Sequence, residues 1–146
     1  MTTTSGALLG VGYEGLDIDA FISRLRLRGV QVVVDVRLNP LSRKRGFSKV
    51  ALASALAGAG IEYRHLRALG NPKDNRAGFA LEDEAGQLSR TRYSEELKSD
   101  SARAALVELS SLAEYRKVAV MCFEADESTC HRAIVLAVVE QLRQPA

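Results

Sequence analysis

Residues Val118 to Ala137 read VAVMCFEADESTCHRAIVLA, and this stretch decides the fold. The apolar run Val118 to Phe123 passes through a short acidic turn into a second apolar run that begins after Arg132. Apolar and β-branched residues without a breaker suit a strand that is covered on both faces, and Ser128 or Thr129 can cap a following helix. The stretch therefore predicts a buried strand that leads directly into a helix.

Cys130, His131 and Arg132 fall in the first turn of that predicted helix. The unpaired N–H groups and the helix dipole favour an anion or a thiolate there, and neighbouring cations lower the pKa of a cysteine. We predict that Cys130 is a nucleophile or a redox thiol. The alternative is simple packing, because adjacent helix residues point about 100° apart and His131 need not touch the sulfur. Cys122 lies inside the strand and is predicted to be a small buried hydrophobe.

Length and composition predict one ordinary globular domain. The chain has 146 residues, of which 47% are hydrophobic and 26% charged, with a formal net charge of +2. A net charge this small excludes an electrostatic field of the whole protein that would attract nucleic acid or membranes. Any basic surface must therefore be local. Residues 1–9 lack a signal-peptide pattern, no stretch approaches the ~20 apolar residues that span a bilayer, and two cysteines suit a reducing compartment. We expect a single cytoplasmic domain over residues 1–146.

Further strands alternate with helices upstream of the opening stretch. Asp17 and Ser48 can each cap a helix, and residues 93–115 are predicted as helix with a break near Ser99. Residues 67–92 have no clear period and are predicted to be a long loop or lid. The predicted strands are 7–11, 30–36, 61–66 and 118–123.

This order of elements predicts an α/β fold: a single three-layer α/β/α domain with a mostly parallel sheet of about four to five strands. If three strands step outward and the fourth returns beside the first, the strand order is near 3-2-1-4. Ligands in such sheets bind beyond the carboxyl ends of the strands. We therefore expect Gly12–Glu14, Asp35–Arg37 and Cys122–Arg132 to meet in one crevice.

Charged side chains in that crevice indicate an anionic ligand. Asp35 and Arg37 are two residues apart on a strand, so they share a face, either as a salt bridge or as part of a site. Arg37 and Arg132 can both bind a carboxylate or phosphate bidentately. The predicted catalytic residues are Cys130, His131, Asp35 and Glu124, and the predicted anion-binding residues are Arg37, Arg132, Tyr13, Gly12, Arg43 and Arg45.

Residues 37–49, RLNPLSRKRGFSK, carry five cations and no acid. On a loop at the ligand end of the sheet they would attract a polyanion, and Phe47 would be available to stack on a base. The alternative is an ordinary solvated loop. The predicted partner is a small anionic ligand or nucleic acid.

A metal site would draw on Cys122, Cys130 and His131, with His65 as a fourth candidate. Structural zinc sites usually pair ligands two to four residues apart, whereas only Cys130 and His131 are close here. A redox pair is also disfavoured, because seven residues separate the cysteines rather than the two of a Cys-x-x-Cys motif. We predict no metal and no cofactor.

Taken together, several motifs resemble the bacterial and archaeal family catalogued as domain of unknown function 488. They are Gly12-Tyr13, Val34 to Arg37 (VDVR), Asn39-Pro40-Leu41-Ser42, Phe47, Gly60-Ile61-Glu62-Tyr63, Leu69-Gly70 and Met121 to Arg132 (MCFEADESTCHR). The resemblance implies a small α/β domain whose shared polar residues gather at one end of the sheet, and it implies no agreed activity. The positions that carry over are Gly12, Tyr13, Asp35, Arg37, Cys122, Glu124, Cys130, His131 and Arg132.

Three functions remain open at this point. The leading hypothesis is a small enzyme that acts on an anionic, nucleotide or nucleic-acid-derived substrate, with arginines holding the anion and Cys130 reacting. The second is a non-catalytic module that binds a nucleotide or nucleic acid through the basic loop. The third is a thiol redox or metal-binding protein.

Overall fold

The computed structural model describes residues 6–79, 81–126 and 130–143. Within these residues four strands form one parallel sheet, and helices cover it on both faces. The strands are β1 (Ala7–Gly12), β2 (Val32–Asp35), β3 (Glu62–His65) and β4 (Lys117–Cys122). The helices are α1 (Ile18–Leu27), α2 (Lys49–Gly58), α3 (Lys73–Phe79), α4 (Glu84–Glu96), α5 (Asp100–Tyr115) and α6 (Arg132–Arg143), with a 3₁₀ turn at Arg67–Leu69.

The predicted α/β class and parallel sheet are confirmed, but β1 and β4 exchange places in the strand order. The observed order is β1-β4-β2-β3, so β4 lies between β1 and β2 rather than outside β1. The positions of the strands follow from how deeply each of them is buried. The apolar strands β2 and β4 are almost wholly buried, whereas β1 is half-buried along its length. Gly10 and Gly12 have no side chains to cover, which suits β1 to an edge.

Two hydrophobic cores lie on opposite faces of the sheet. Since β1 to β2 and β2 to β3 step in the same direction, right-handed crossovers place α1 and α2 together on one face. There Phe21 and Leu52 pack against Val33 and Met121. The connection from β3 to β4 steps back, so α5 covers the other face, where Leu109 packs with Val120. Cys122 and Cys130 belong to this second core.

The segment 67–92 is not the long loop that was predicted. It contains the 3₁₀ turn, α3 and most of α4. The helix α4 is polar on nearly all sides and buries only Gly86 and Tyr93, so no apolar period marks it. Its N-cap is Asp83, whose carboxylate accepts a hydrogen bond from the Gly86 N–H. The break predicted near Ser99 in the helix over residues 93–115 is confirmed, since α4 ends at Glu96 and Ser99 caps α5.

The predicted caps have mixed outcomes. The Asp17 carboxylate caps α1 by accepting from the Ala20 N–H. Ser48 occupies the N-cap position of α2, but its hydroxyl bonds the backbone of Ser42 rather than its own helix. The predicted caps Ser128 and Thr129 lie outside the described residues. The helix α6 begins at Arg132, so the two preceding residues form the turn that enters it rather than its first helical turn.

No helix among the described residues is long and apolar enough to cross a membrane.

Candidate functional site

The carboxyl ends of the four parallel strands meet at one edge of the sheet, and a cavity of about 310 Å³ opens there. We call it the strand-end cavity. Its lining includes Arg37, Arg43, Asn71 and Arg76 together with Cys122, Glu124, Cys130 and His131. Because β4 is a central strand, Cys122 at its end lies between the ends of β1 and β2. The three segments that were predicted to share a crevice therefore do so.

Cys122 and Cys130 form a disulfide at the wall of this cavity. Both residues are almost fully buried from solvent, and they are the two cysteines of the sequence. The structure corrects two expectations. Cys122 is not merely a small hydrophobe within the strand, and the seven-residue spacing does not keep the two sulfurs apart. They meet because the end of β4 and the entry to α6 are adjacent in space.

The imidazole of His131 has a defined orientation beside the sulfurs. Its Nε2 lies 2.8 Å from the Val36 carbonyl oxygen, which only an N–H can satisfy. The other nitrogen, Nδ1, lies 3.6 Å from Cys130 Sγ. Burial lowers the pKa of His131 to about 4, and the nearby guanidinium of Arg76 acts in the same direction. His131 is therefore a neutral ring whose Nδ1 lone pair faces the sulfur pair.

Arg132 is buried and is held by β4 and the residues that follow it. Its Nη1 lies 2.9 Å from Cys122 Sγ and donates to the Glu124 carbonyl oxygen at 2.6 Å. Its Nη2 donates to the Ala125 carbonyl at 3.3 Å. The backbone N–H of Arg132 points at Cys130 Sγ, 3.5 Å away. One residue thus offers donors to both sulfurs, which favours thiolates when the disulfide is reduced.

Asp35 and Arg37 form a buried ion pair rather than two separate site residues. Asp35 is fully buried, and its carboxylate accepts from Arg37 Nε at 2.9 Å and from Nη2 at 2.7 Å. The hydroxyl of Tyr63 donates to the same carboxylate at 2.6 Å, while Arg37 Nη1 donates to the Tyr13 hydroxyl at 3.1 Å. Burial and the bond to Asp35 together raise the pKa of Tyr63 above its ordinary range. The network fixes Arg37 at the cavity wall, and Asp35 lies behind it.

Phe47 does not stack on a ligand. It is fully buried, and its ring stacks on Tyr13 with centroids 4.3 Å apart. The ring of Phe21 packs edge-on against that of Phe47, with centroids 5.4 Å apart. The aromatic residue of the basic loop therefore anchors that loop to the core, and this corrects the prediction that Phe47 would bind a base.

Two exposed arginines also line the cavity. Arg43 comes from the loop after β2, as predicted, and Arg76 comes from α3. Arg76 Nε donates to the Asn71 carbonyl oxygen at 3.2 Å, so its position is set by backbone rather than by a carboxylate. Sequence reasoning missed Arg76 because it missed α3. The signal available was Pro72, which opens that helix.

A family model described as "Domain of unknown function DUF488" matches residues 17–139. The chain belongs to the DUF488 family. The resemblance inferred from the motifs is therefore confirmed. No curated protein and no solved structure matches this chain. Because the family description names no activity, the function of this DUF488 protein has to be argued from its geometry.

The strand-end cavity is lined by several of the residues that were predicted from the sequence. Of the predicted catalytic residues, Cys130, His131 and Glu124 line the strand-end cavity, whereas Asp35 does not. Of the predicted anion-binding residues, Arg37, Tyr13 and Arg43 line it. Arg132 supports the sulfurs, and Arg45 is exposed outside the lining.

Gly12 has a structural reason to be glycine. A Cβ at this position would collide with the Glu124 carbonyl oxygen, the same oxygen that Arg132 binds. Gly12 therefore lets the segment after β4 approach β1 closely. Glu14 holds the same segment, since its carboxylate accepts from the Ala125 N–H at 3.0 Å.

Three potential metal ligands lie together in the described part of the chain. Cys122 Sγ, Cys130 Sγ and a ring nitrogen of His131 are all within 4.8 Å of one another. The fourth sequence candidate, His65, points elsewhere, with its Nε2 2.7 Å from the Arg37 carbonyl oxygen. The separation of these residues along the sequence, which disfavoured a metal site, is therefore not a guide to their distances in the folded chain.

Proposed function

We propose that this DUF488 protein is a small enzyme that binds an anionic substrate in the strand-end cavity and acts on it with the Cys122–Cys130–His131 cluster. The observation that carries the proposal is the composition of one cavity. Three guanidinium groups, two sulfurs and a neutral imidazole all line it. A ligand held by the arginines would lie in the same cavity as the sulfurs and the imidazole.

The charge balance of the cavity favours an anion. Among the described residues that line it, three are arginines and one, Glu124, is acidic. The charge of Arg37 is offset by its ion pair with Asp35. Arg43 and Arg76 make no ion pair with a described carboxylate, and both are exposed at the cavity. These two guanidinium groups supply the attraction, since arginine binds carboxylates and phosphates through paired N–H groups.

A reaction at the two cysteine sulfurs requires the reduced protein. Reduction would leave the Cys122 sulfur beside the Arg132 guanidinium, which stabilises a thiolate. Cys130 would face the Nδ1 lone pair of His131. Glu124 Oε2, 3.6 Å from Cys122 Sγ, is the nearest described carboxylate that lines the cavity and would exchange protons there. Asp35 takes no proton-transfer role in this account, because its carboxylate is enclosed by Arg37 and Tyr63.

Anion binding is tested by thermal unfolding of metal-free protein with inorganic phosphate and pyrophosphate as probes. We expect the unfolding temperature to rise with probe concentration, because a ligand that binds only the native state stabilises it. Arg76→Gln and Arg43→Gln should each weaken binding by about 10-fold or more, since a charged hydrogen bond is worth about 1.5–3 kcal/mol.

Arg103→Gln is the matched control. It makes the same change of charge on the exposed face of α5, outside the cavity lining, and should leave binding unchanged. The proposal is contradicted if neither probe shifts the unfolding temperature, or if Arg103→Gln weakens binding as much as Arg76→Gln does.

A second candidate function is a dithiol–disulfide redox protein, and the disulfide itself favours it. The Cys122–Cys130 bond belongs to the second core, but both cysteines also line the strand-end cavity, so a small thiol has a route to it. The two candidates differ in the arginines. Reduction by a neutral thiol should be insensitive to Arg43 and Arg76, whereas an anion-directed enzyme depends on both.

A further inference from the structure

The strand-end cavity contains a set of side-chain donors that neither the family description nor the proposed anion binding explains. We propose that, in the reduced protein, Cys122, Cys130 and His131 form a three-ligand site for Zn²⁺ or a similar borderline-soft divalent cation, with a fourth position open to the strand-end cavity. This deepens the proposed function and rests on it for the role of the ion, but binding of the ion is measured without any substrate.

The first argument is geometric. The three donor atoms lie within 4.8 Å of one another. Tetrahedral zinc with bonds of about 2.0–2.3 Å places its ligand atoms roughly 3.3–3.8 Å apart, so small side-chain rotations would suffice. Cys122 ends a central strand, and Cys130 and His131 enter a helix that packs on the same sheet. Rigid elements therefore hold the donors from both sides.

The second argument is the hydrogen bond on the far side of the imidazole. Metal-binding histidines usually donate their other ring N–H to a carboxylate or a backbone carbonyl, which fixes the tautomer and the ring direction. His131 does this through Nε2 to the Val36 carbonyl oxygen. Its Nδ1 is then the only nitrogen with a lone pair, and it faces Cys130 Sγ. Val36 follows β2, so the end of a second strand helps to aim the ligand.

The summed charge of the ligands and the ion also favours the site. Two thiolates and one divalent cation sum to zero, which suits a site where all three ligands are buried. The Arg132 guanidinium beside Cys122 Sγ and the Arg132 backbone N–H beside Cys130 Sγ supply N–H groups to the sulfurs. Such bonds to metal-bound sulfur are the support that ligating cysteines receive in metalloproteins.

The open fourth position gives the ion a place in the proposed function. Catalytic zinc sites keep three protein ligands and leave the fourth position to water or substrate, whereas structural sites are closed by four. Here the described ligands number three, and all of them line the cavity that Arg43 and Arg76 also line. An anion held by the arginines would reach the open position, while Glu124 lies beside Cys122 to accept a proton.

The disulfide and the metal site are alternative states of the same sulfurs. Reduction by a trialkylphosphine and water cleaves the S–S bond, forms two thiols and oxidises the phosphine to its oxide. Binding of the divalent ion then releases two protons, one from each thiol, as two sulfur–metal bonds form. The oxidised protein has no thiolate to offer and should bind the ion weakly.

The experiment titrates Co²⁺ and Zn²⁺ into phosphine-reduced, metal-free protein under anaerobic conditions, with a chromophoric chelator as competitor. We expect one ion per chain, and the Co²⁺ complex should show thiolate-to-metal charge-transfer absorption and the intense visible bands of tetrahedral coordination. Cys122→Ser, Cys130→Ser and His131→Gln should each weaken binding by more than about 100-fold, because losses in the surrounding shell alone cost about 10–100-fold.

His65→Gln is the matched control. His65 also bonds a backbone carbonyl through Nε2, but it is not in the donor cluster, and its removal should leave metal affinity unchanged. Because a cysteine variant can fail to fold, X-ray absorption of the wild-type complex provides an independent count, and it should show two sulfur neighbours and at least one nitrogen. An ion coordinated only by oxygen, or equal affinity of reduced and oxidised protein, would overturn the proposal. Pyrophosphate binding that depends on Arg76 would survive that result.

Discussion

Replacing Asp35 with asparagine is expected to lower the free energy of unfolding by about 3–5 kcal/mol. The carboxylate is fully buried and accepts hydrogen bonds from the backbone N–H, Nε and Nη2 of Arg37 and from the Tyr63 hydroxyl. Asparagine keeps the shape but removes the charge, so the guanidinium of Arg37 would remain buried without its counter-ion. Equilibrium unfolding in urea measures the effect.

Glu62→Gln is the control for Asp35→Asn. Glu62 pairs with Arg64 and Arg116 at the surface, where its side chain is 37% exposed. Exposed ion pairs contribute about 0–1 kcal/mol, so this variant should change stability little. If Asp35→Asn costs no more than Glu62→Gln, the buried pair does not hold Arg37 at the cavity wall as described.

The second large effect is a pH dependence of stability that originates in His131. Its pKa is about 4 in the folded chain, because burial disfavours the imidazolium, against about 6.5 when unfolded. Between these values the unfolded chain binds more protons, so stability rises with pH. The contribution of His131 is complete above about pH 6.5 and is lost as the pH falls towards 4. At about 1.4 kcal/mol for each pKa unit, the loss approaches roughly 3 kcal/mol.

The measurement compares unfolding free energies of the wild type and His131→Gln from pH 4 to pH 7 in the disulfide form, in which neither sulfur titrates. Carboxylates also titrate near the acidic end of this range, so the difference between the two proteins isolates the histidine. The wild type should lose more stability than the variant on acidification. Parallel pH profiles for the two proteins would show that His131 is not held neutral by burial.

Local residue patterns predicted the elements whose burial is strong. The unbroken apolar runs at β2 and β4 and the cap at Asp17 were sufficient for those strands and for α1. The same patterns did not give the strand order, because burial on both faces identifies a central strand but not its neighbours. The glycines of β1 were the signal for an edge. The part of α4 before Tyr93 was missed because its apolar face consists of little more than that residue.

The site was predictable to the extent that it depends on strand ends. Residues that follow parallel strands share one edge, so Arg37, Cys122 and Glu124 could be placed together from sequence. The contact between Cys122 and Cys130 could not, since their spacing matches no motif and the contact depends on how α6 begins beside β4. Arg76 could not be placed because the helix that carries it, α3, has no apolar periodicity in the sequence. The burial of Phe47 could not be predicted because it depends on the packing of its ring against Tyr13.

The central claim is that the reactive sulfurs lie in an anion-binding cavity. Its most direct test is the alkylation of reduced protein, freed of reductant, by iodoacetate and by iodoacetamide, which differ in charge. The account predicts a rate ratio of iodoacetate to iodoacetamide at least about 10-fold above that of glutathione, since a cationic cavity concentrates anions. Arg43→Gln combined with Arg76→Gln should return the ratio towards that of glutathione, whereas Arg103→Gln should not. A wild-type ratio equal to that of glutathione and insensitive to both cavity arginines would contradict the account.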